Sequence, residues 1–250
     1  MLTRALGIIP ARYGSTRFHG KLLKDLCGKS VIVRTVESAL QSKKLNDLWL
    51  ATDNYEILET VNRQCPMVKA IMTSINCPSG SDRIVEALNN EELFLDELGD
   101  GFPYDVIVNV QGDEPLLNPN HIDMLVDSLA NEAEADIATL VFPISKESSN
   151  DSNIVKCAFG KDGRALYFSR SPIPHGGPYF KHVGLYAYRP KALIKFVKAL
   201  PSKLEKIESL EQLRAMEIGL SIHVVEVETA NHGIDTPEQL EMARKLLKKL

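Results

Sequence analysis

Apolar and polar positions fall into blocks along the first half of the chain, and the period of the blocks switches between two and about 3.6. Residues 5–9 form a short continuous apolar run, the pattern of a strand buried on both faces. Val31, Val33, Val36, Ala39 and Leu40 recur with helical spacing and predict an amphipathic helix over 31–40. The run DLWLAT at 47–52 reads as a second strand ending at Asp53, with a helix over 55–64, a third strand over 68–72 and a helix over 81–89. DVIVNV at 105–110 is again a buried strand, and it stops at Gln111-Gly112-Asp113-Glu114-Pro115. Strands alternating with helices predict a parallel sheet covered on both faces. Ligands of such sheets lie beyond the carboxyl ends of the strands, so the loop after strand one and the loop at 111–115 are expected to face one site.

The second half is less regular. A helix over 120–131 and a strand over 136–143 lead into a polar connection at 145–153, and strands over 155–159 and 165–168 flank the hairpin signal Gly160-Lys161-Asp162-Gly163. A Pro- and Gly-rich segment at 171–178 precedes a strand over 182–188, a helical stretch over 209–217 and a strand over 222–227. The hairpin and the Pro- and Gly-rich segment predict a sub-domain inserted at about 145–190 in a single domain of 1–250. The last helix has the clearest boundary signals. Thr236 is placed as N-cap, Pro237 at the first helical position and Gln239 as the capping-box partner, with Leu240, Ala243, Leu246, Leu247 and Leu250 on one face. Lys245, Lys248 and Lys249 favour the dipole at its C-terminus.

Composition narrows the class. At 250 residues, 44% hydrophobic and 25% charged, the chain has the make-up of a globular protein rather than a disordered or fibrous one. A net charge of -4 argues against a general nucleic-acid binder. Cys27, Cys65, Cys77 and Cys157 show no C-x-x-C spacing, which fits free thiols in a reducing compartment. No apolar run reaches the length of a membrane span, and Pro10 and Arg12 interrupt the first one before it could act as a signal segment. These features predict a cytoplasmic protein with neither nucleic acid nor membrane as partner.

Candidate chemistry centres on IIPARYGSTRFHGKLL at 8–23, where Arg12, Arg17 and Lys21 stand among Gly14, Ser15, Thr16 and Gly20. Glycines let backbone N–H groups approach a polyphosphate, hydroxyls add donors and the three cations offset its charge. A solvated basic turn satisfies the same local pattern. Gly28-Lys29-Ser30 has the end of a Walker A loop, but Leu23 occupies the place of its first glycine. G-x-G-x-x-G, D-x-D, H-E-x-x-H and G-x-S-x-G are all absent.

Seven blocks carry a family resemblance in order: IPARYGSTRFHGK at 9–21, SGSDR at 79–83, VNVQGDEPL at 108–116, YFSRSPIP at 167–174, HVGLYAYR at 182–189, ESLEQLRAMEIG at 208–219 and GIDTPEQLE at 233–241. Together they resemble the bacterial 3-deoxy-manno-octulosonate (KDO) cytidylyltransferases. The resemblance implies an α/β fold of the nucleotide-diphospho-sugar transferase type: a mainly parallel sheet flanked by helices, with a smaller inserted sub-domain for sugar binding and dimerisation. It implies the Mg²⁺-dependent reaction of CTP with KDO to give CMP-KDO, the donor for the lipopolysaccharide inner core, and diphosphate. The chain would act as a homodimer. The same reaction on a related sugar acid, 8-amino-KDO or sialic acid, is the alternative.

Residue by residue, the resemblance assigns Arg12, Arg17 and Lys21 to the triphosphate, and Asp113 and Asp235 to the metal, with Asp113 also counted as catalytic. Pro10 and Ala11 would line the base by backbone contact, and Ser81, Arg83 and Gln111 would touch the nucleotide. Gln111, Arg170, His182, Tyr186, Glu211 and Gln212 would bind the sugar. Local readings stay open: Asp113 as a turn residue, Asp235 as part of a helix start, the block at 79–83 as a plain helix cap, and Tyr186 as a core aromatic. The related loop commonly reads L-P-G-K-P-L, whereas Phe18, His19, Gly20, Lys21, Leu22 and Leu23 stand here. Loss of both prolines predicts a more mobile loop. Ser81 replaces a usual Thr and keeps the hydroxyl.

Overall fold

The computed structural model describes residues 3–14, 18–93, 102–230 and 233–248, and the chain divides into two compact units, Met1–Asp123 with Asn231–Leu250, and Met124–Ala230. In the first unit β1 (Ala5–Ala11) leads through a 3-10 turn (Lys21–Leu23) into a small hairpin of β2 (Asp25–Leu26) and β3 (Lys29–Ser30). There follow α1 (Val31–Ala39), β4 (Leu45–Thr52), α2 (Tyr55–Gln64), β5 (Lys69–Met72), α3 (Gly80–Asn90) and β6 (Val106–Asn109). The four long strands pair in the order β6-β1-β4-β5, all parallel, so the central β1 is flanked on both sides. This is the α/β fold that the strand–helix alternation predicts.

The reason lies in which side chains can leave water. Ile8 and Ile9 of β1, and every residue of β6, are buried, as strands covered on both faces require. Val31, Val33, Val36 and Ala39 of α1 are fully buried, and Ile32 and Thr35 join them, whereas Leu40 lies outside the helix and is 38% exposed. Each buried Val or Ile contributes about 1.5–3 kcal/mol, which makes this stripe the main hold on α1. Thr35 Oγ1, at 3.1 Å from Val31 O and 3.0 Å from Gly112 O, is tied both to its own helix and to the loop at 111–115. The Gly28-Lys29-Ser30 sequence belongs to the β2–β3 hairpin, whose turn residues Cys27 and Gly28 have φ of 55° and 84°.

The second unit takes up the chain within α4 (Pro119–Asn131) and continues with β7 (Ile137–Ile144), α5 (Lys146–Ser149), β8 (Lys156–Phe159), β9 (Ala165–Ser169) and β10 (Tyr179–Tyr188). It ends with α6 (Pro190–Lys198), α7 (Lys203–Glu208), α8 (Gln212–Glu217) and β11 (Ile222–Glu226). β7 pairs parallel with β11 and antiparallel with β10, and β8 pairs antiparallel with β9 and β10. The hairpin expected around residues 160–163 is present, with Gly163 at φ 76° and Gly160 N donating to Arg164 O.

α9 (Pro237–Leu247) returns to the first unit. Its capping box is formed as expected between Thr236 and Gln239, with Pro237 in the first turn. Leu240 and Ala243 are buried, but Leu246 is 51% exposed, so the apolar stripe is shorter than its spacing suggests; Leu250 lies outside the described residues. Arg244 Nη2 donates to Asp25 O at 2.5 Å and fastens the helix to the β2–β3 hairpin.

Candidate active site

In the first unit the carboxyl ends of β1 and β6 lie next to each other, and the loops that follow them meet. Gly112 makes the meeting possible: a Cβ there would come within 3.2 Å of Pro10 O and 3.4 Å of Ile9 and Ile32. The next residue, Asp113, accepts from Lys21 Nζ at 2.5 Å, and Asp235 accepts from the same nitrogen at 2.8 Å. Asp235 is delivered by the approach to α9, where Ile234 N donates to Asp113 O at 2.8 Å and Asp235 N to Gln239 Oε1 at 2.6 Å. Two carboxylates far apart in sequence therefore converge on the Lys21 ammonium group. Lys21 is held at the start of its 3-10 turn by Gly20, whose φ of 62° suits the left-handed conformation that glycine adopts without strain.

Arg12 is exposed beside this cluster in sequence, and Arg17 lies outside the described residues. Pro10 and Ala11 are the last two residues of β1, and Ala11 is fully buried. Gly80 opens α3 so close to Pro10 that a Cβ would sit 3.2 Å from its ring. Ser79 caps that helix by accepting from Asp82 N, and Ser81 is buried. Arg83 is also buried. Its Nη2 donates to Asp53 Oδ2 at 2.9 Å and its Nη1 to Thr73 Oγ1 at 2.6 Å, while Asp53 Oδ1 accepts from Tyr13 N at 2.9 Å. Gln111 Nε2 donates to Asn109 Oδ1 at 3.2 Å. Asp53 and Thr73 were not singled out from sequence. The available signal was position alone: both follow parallel strands at the ligand-facing edge.

In the second unit His182 and Tyr186 lie on β10 with ring centroids 5.3 Å apart, and Phe168 meets His182 edge-on at 5.2 Å. Thr139 Oγ1 donates to Leu185 O at 2.9 Å, which leaves its oxygen to accept from His182 Nε2 at 3.0 Å. Burial, aided by Lys181, pushes the His182 imidazole down to about 3. The ring is therefore neutral at physiological pH. Burial, with Tyr188 and Glu211 adding to it, raises the Tyr186 phenol well above its ordinary value. Glu211 precedes α8, and Gln212 is its first residue, 7% exposed, with its Nε2 buried and without a hydrogen-bond partner among the described residues.

Arg170 is held differently. Its guanidinium donates to Glu208 O at 2.8 Å, Ser152 O at 3.1 Å and Ser209 O at 3.4 Å, and two of its five N–H groups remain for another partner. Lys156, fully buried, donates to Asp151 O at 3.0 Å, Ile154 O at 2.6 Å and Arg170 O, so the same loop is held from two sides.

The depressed His182 pKa has a consequence for stability. The unfolded chain takes up the proton near 6.5 and the folded chain only at about 3, so this contribution is complete above about 6.5 and is lost as pH falls toward 3. The loss approaches about 1.4 kcal/mol per pH unit. His182→Asn is expected to flatten this part of the profile in urea titrations from pH 7 to 4. A wild-type-like slope would show that His182 titrates normally.

A parallel sheet with a basic loop after its first strand, and a lysine between an aspartate that follows β6 and another that precedes α9, suits a nucleotide-handling transferase. A cytidylyltransferase family profile matches residues 6–222. Close relatives are named 3-deoxy-manno-octulosonate cytidylyltransferase: one from Protochlamydia amoebophila is 42% identical, covering 99% of this chain and 95% of its own, and one from Thermodesulfovibrio yellowstonii is 46% identical, covering 96% of each. The solved structure of a CMP:2-keto-3-deoxy-manno-octonic acid synthetase complexed with CTP superposes with a TM-score of 0.90 at 37% identity over 99% of both chains. A cytidylyltransferase from Leptospira borgpetersenii, 16% identical with a TM-score of 0.65 over 100% of this chain and 88% of its own, shares the fold. The chain belongs to the 3-deoxy-manno-octulosonate cytidylyltransferase family.

Proposed function

We propose that this chain transfers CMP from CTP to 3-deoxy-manno-octulosonate, and the observation that carries the reading is the convergence of Asp113 and Asp235 on Lys21 at the end of the loop after β1. The anomeric hydroxyl of the sugar attacks the α-phosphorus. The bond to the β-phosphate breaks, diphosphate leaves and the hydroxyl proton is lost. Both substrates are anionic, so cations must hold the triphosphate and stabilise the leaving diphosphate. Arg12, Arg17 and Lys21 take that part.

Two carboxylates already gathered around one cation fit Mg²⁺, which takes one or two protein carboxylates and fills its remaining positions with water and phosphate oxygens. Among the described residues no larger group of His, Cys, Asp and Glu could hold a metal. Asp113 and Asp235 would hold the ion, which would supply charge screening at the α-phosphate and acidify the attacking hydroxyl. Pro10 and Ala11 line the base, with Ser81 and Gln111 at the nucleotide.

For the sugar, the buried Gln212 Nε2, unpartnered among the described residues, is a donor waiting for an acceptor; its neighbour in sequence, Glu211, acts on the Tyr186 phenol, and Tyr186 lies against the His182 ring. Arg170 brings its two spare N–H groups to the same task, and Gln111 keeps the role that the resemblance implies. The homodimer rests on the family resemblance. Free cysteines support a cytoplasmic location, and no helix among the described residues is long and apolar enough to cross a membrane.

Diphosphate release in the presence of Mg²⁺ tests the reading. Release is expected with CTP and KDO, and much less with GTP or with sialic acid. No release with KDO would overturn the assignment, and faster release with 8-amino-KDO or sialic acid would move it to that sugar.

A further inference from the structure

The ion pair between Asp53 and Arg83 is sealed from water, with side chains 6% and 4% exposed, at the edge of the sheet where the nucleotide is proposed to lie. Nothing in the reaction needs a carboxylate at this point, and a bare one would repel a triphosphate. We propose that Asp53 is a positioning residue for the CTP-binding loop, an inference that rests on the cytidylyltransferase reading. Its two oxygens have separate duties. Oδ1 accepts from Tyr13 N, the second residue past β1, and Oδ2 accepts from Arg83. Arg83 cancels the charge that the task requires, and Thr73 Oγ1 fixes Arg83 in turn.

The hold extends from Tyr13 toward Lys21. The Tyr13 ring meets His19 edge-on, with centroids 4.9 Å apart, and a Cβ on Gly20 would lie 3.5 Å from the same ring. Gly20 is the residue that turns the chain into Lys21. A single backbone N–H, pinned by Asp53, thus anchors the ring against which the residues before Lys21 rest. Under this assignment Arg83 acts through Asp53 rather than by touching the nucleotide.

Only a carboxylate can serve both donors. An Asn at position 53 has one acceptor oxygen, and either Tyr13 N or Arg83 would then face its NH₂ group. Asp53→Asn alone also leaves a buried cation unpaired, a change that can unfold a protein. The test therefore compares two variants of the whole chain that both lack the ion pair. Asp53→Asn with Arg83→Met keeps an oxygen for Tyr13 N, and Asp53→Ala with Arg83→Met does not. CTP affinity with Mg²⁺ is measured by calorimetry, and KM for CTP and for KDO by diphosphate release.

The Asn-containing variant is expected to bind CTP within about threefold of the unmodified chain. The Ala-containing variant is expected to bind about tenfold more weakly, the worth of one hydrogen bond, with KM for KDO unchanged. Equal CTP affinity in the two variants overturns the positioning role. Equal, severe loss in both assigns Arg83 to direct nucleotide contact and overturns it as well. Failure of the unmodified chain to bind CTP would remove the cytidylyltransferase reading and this inference together.

Discussion

Asp113→Asn and Asp235→Asn are each expected to lower kcat by at least about 10²-fold at saturating CTP, with the fold intact. The size follows from preorganised charge: removing one group that stabilises developing charge typically costs about 10²–10³ in rate. An amide cannot replace the anionic oxygen that a hard divalent cation prefers, so the concentration of Mg²⁺ needed for half-maximal rate should rise in both variants. Stability should change little. The Asp113 and Asp235 side chains are 26% and 34% exposed, and ion pairs so open to water contribute up to about 1 kcal/mol. Circular dichroism and the thermal midpoint check the fold. A near-normal rate in either variant would take that residue out of the metal site.

Lys21→Met carries the second large effect, a fall in kcat of about 10²–10³. The same ammonium that is assigned to phosphate contacts both carboxylates. Two anionic oxygens within hydrogen-bonding reach of one nitrogen repel each other once that nitrogen is gone. Lys21→Met should therefore bind Mn²⁺ more tightly in the absence of CTP, read by electron paramagnetic resonance, even as turnover collapses. If Mn²⁺ affinity stayed the same or fell, the lysine would not be serving as the counter-ion of the pair. Lys21→Arg should recover part of the rate at most, because a planar fork does not substitute for a compact ammonium held between two separate carboxylates.

Much of the fold was legible because burial imposes period on sequence. α2 spans Tyr55–Gln64 as the spacing predicts, and β4, β6, β7 and β11 differ from expectation by one or two residues at their ends. α6 and α7 were missed for different reasons. α6 offers Pro190 in its first turn and a buried Ala192-Leu193-Phe196 face, signals hidden by the strand that runs directly into it. α7 has a capping box of the kind read correctly at Thr236, but it buries no residue and so has no apolar period to detect.

The site divides in the same way. Blocks of sequence could nominate Lys21, Asp113 and Asp235, but only chain reversal through the sheet brings them within 2.5 and 2.8 Å. Arg83 was nominated for the nucleotide from its block, and its actual partners come from the ends of two other strands, which no local pattern displays. The loop at 18–23 lacks the prolines of its relatives' usual pattern. A Tyr13–His19 ring contact ties its start back to the residues just past β1, an interaction that spacing does not mark.

The first compact unit is discontinuous, and Asp235 reaches Lys21 only after the chain has passed through all of Met124–Ala230. On the ribosome, the parallel sheet and the basic loop emerge before the second unit, and the second aspartate only after it. Until that aspartate follows, only Asp113 of the two carboxylates is available to Lys21. The cation cluster is thus completed only by the segment that returns to the first unit after the second has been made.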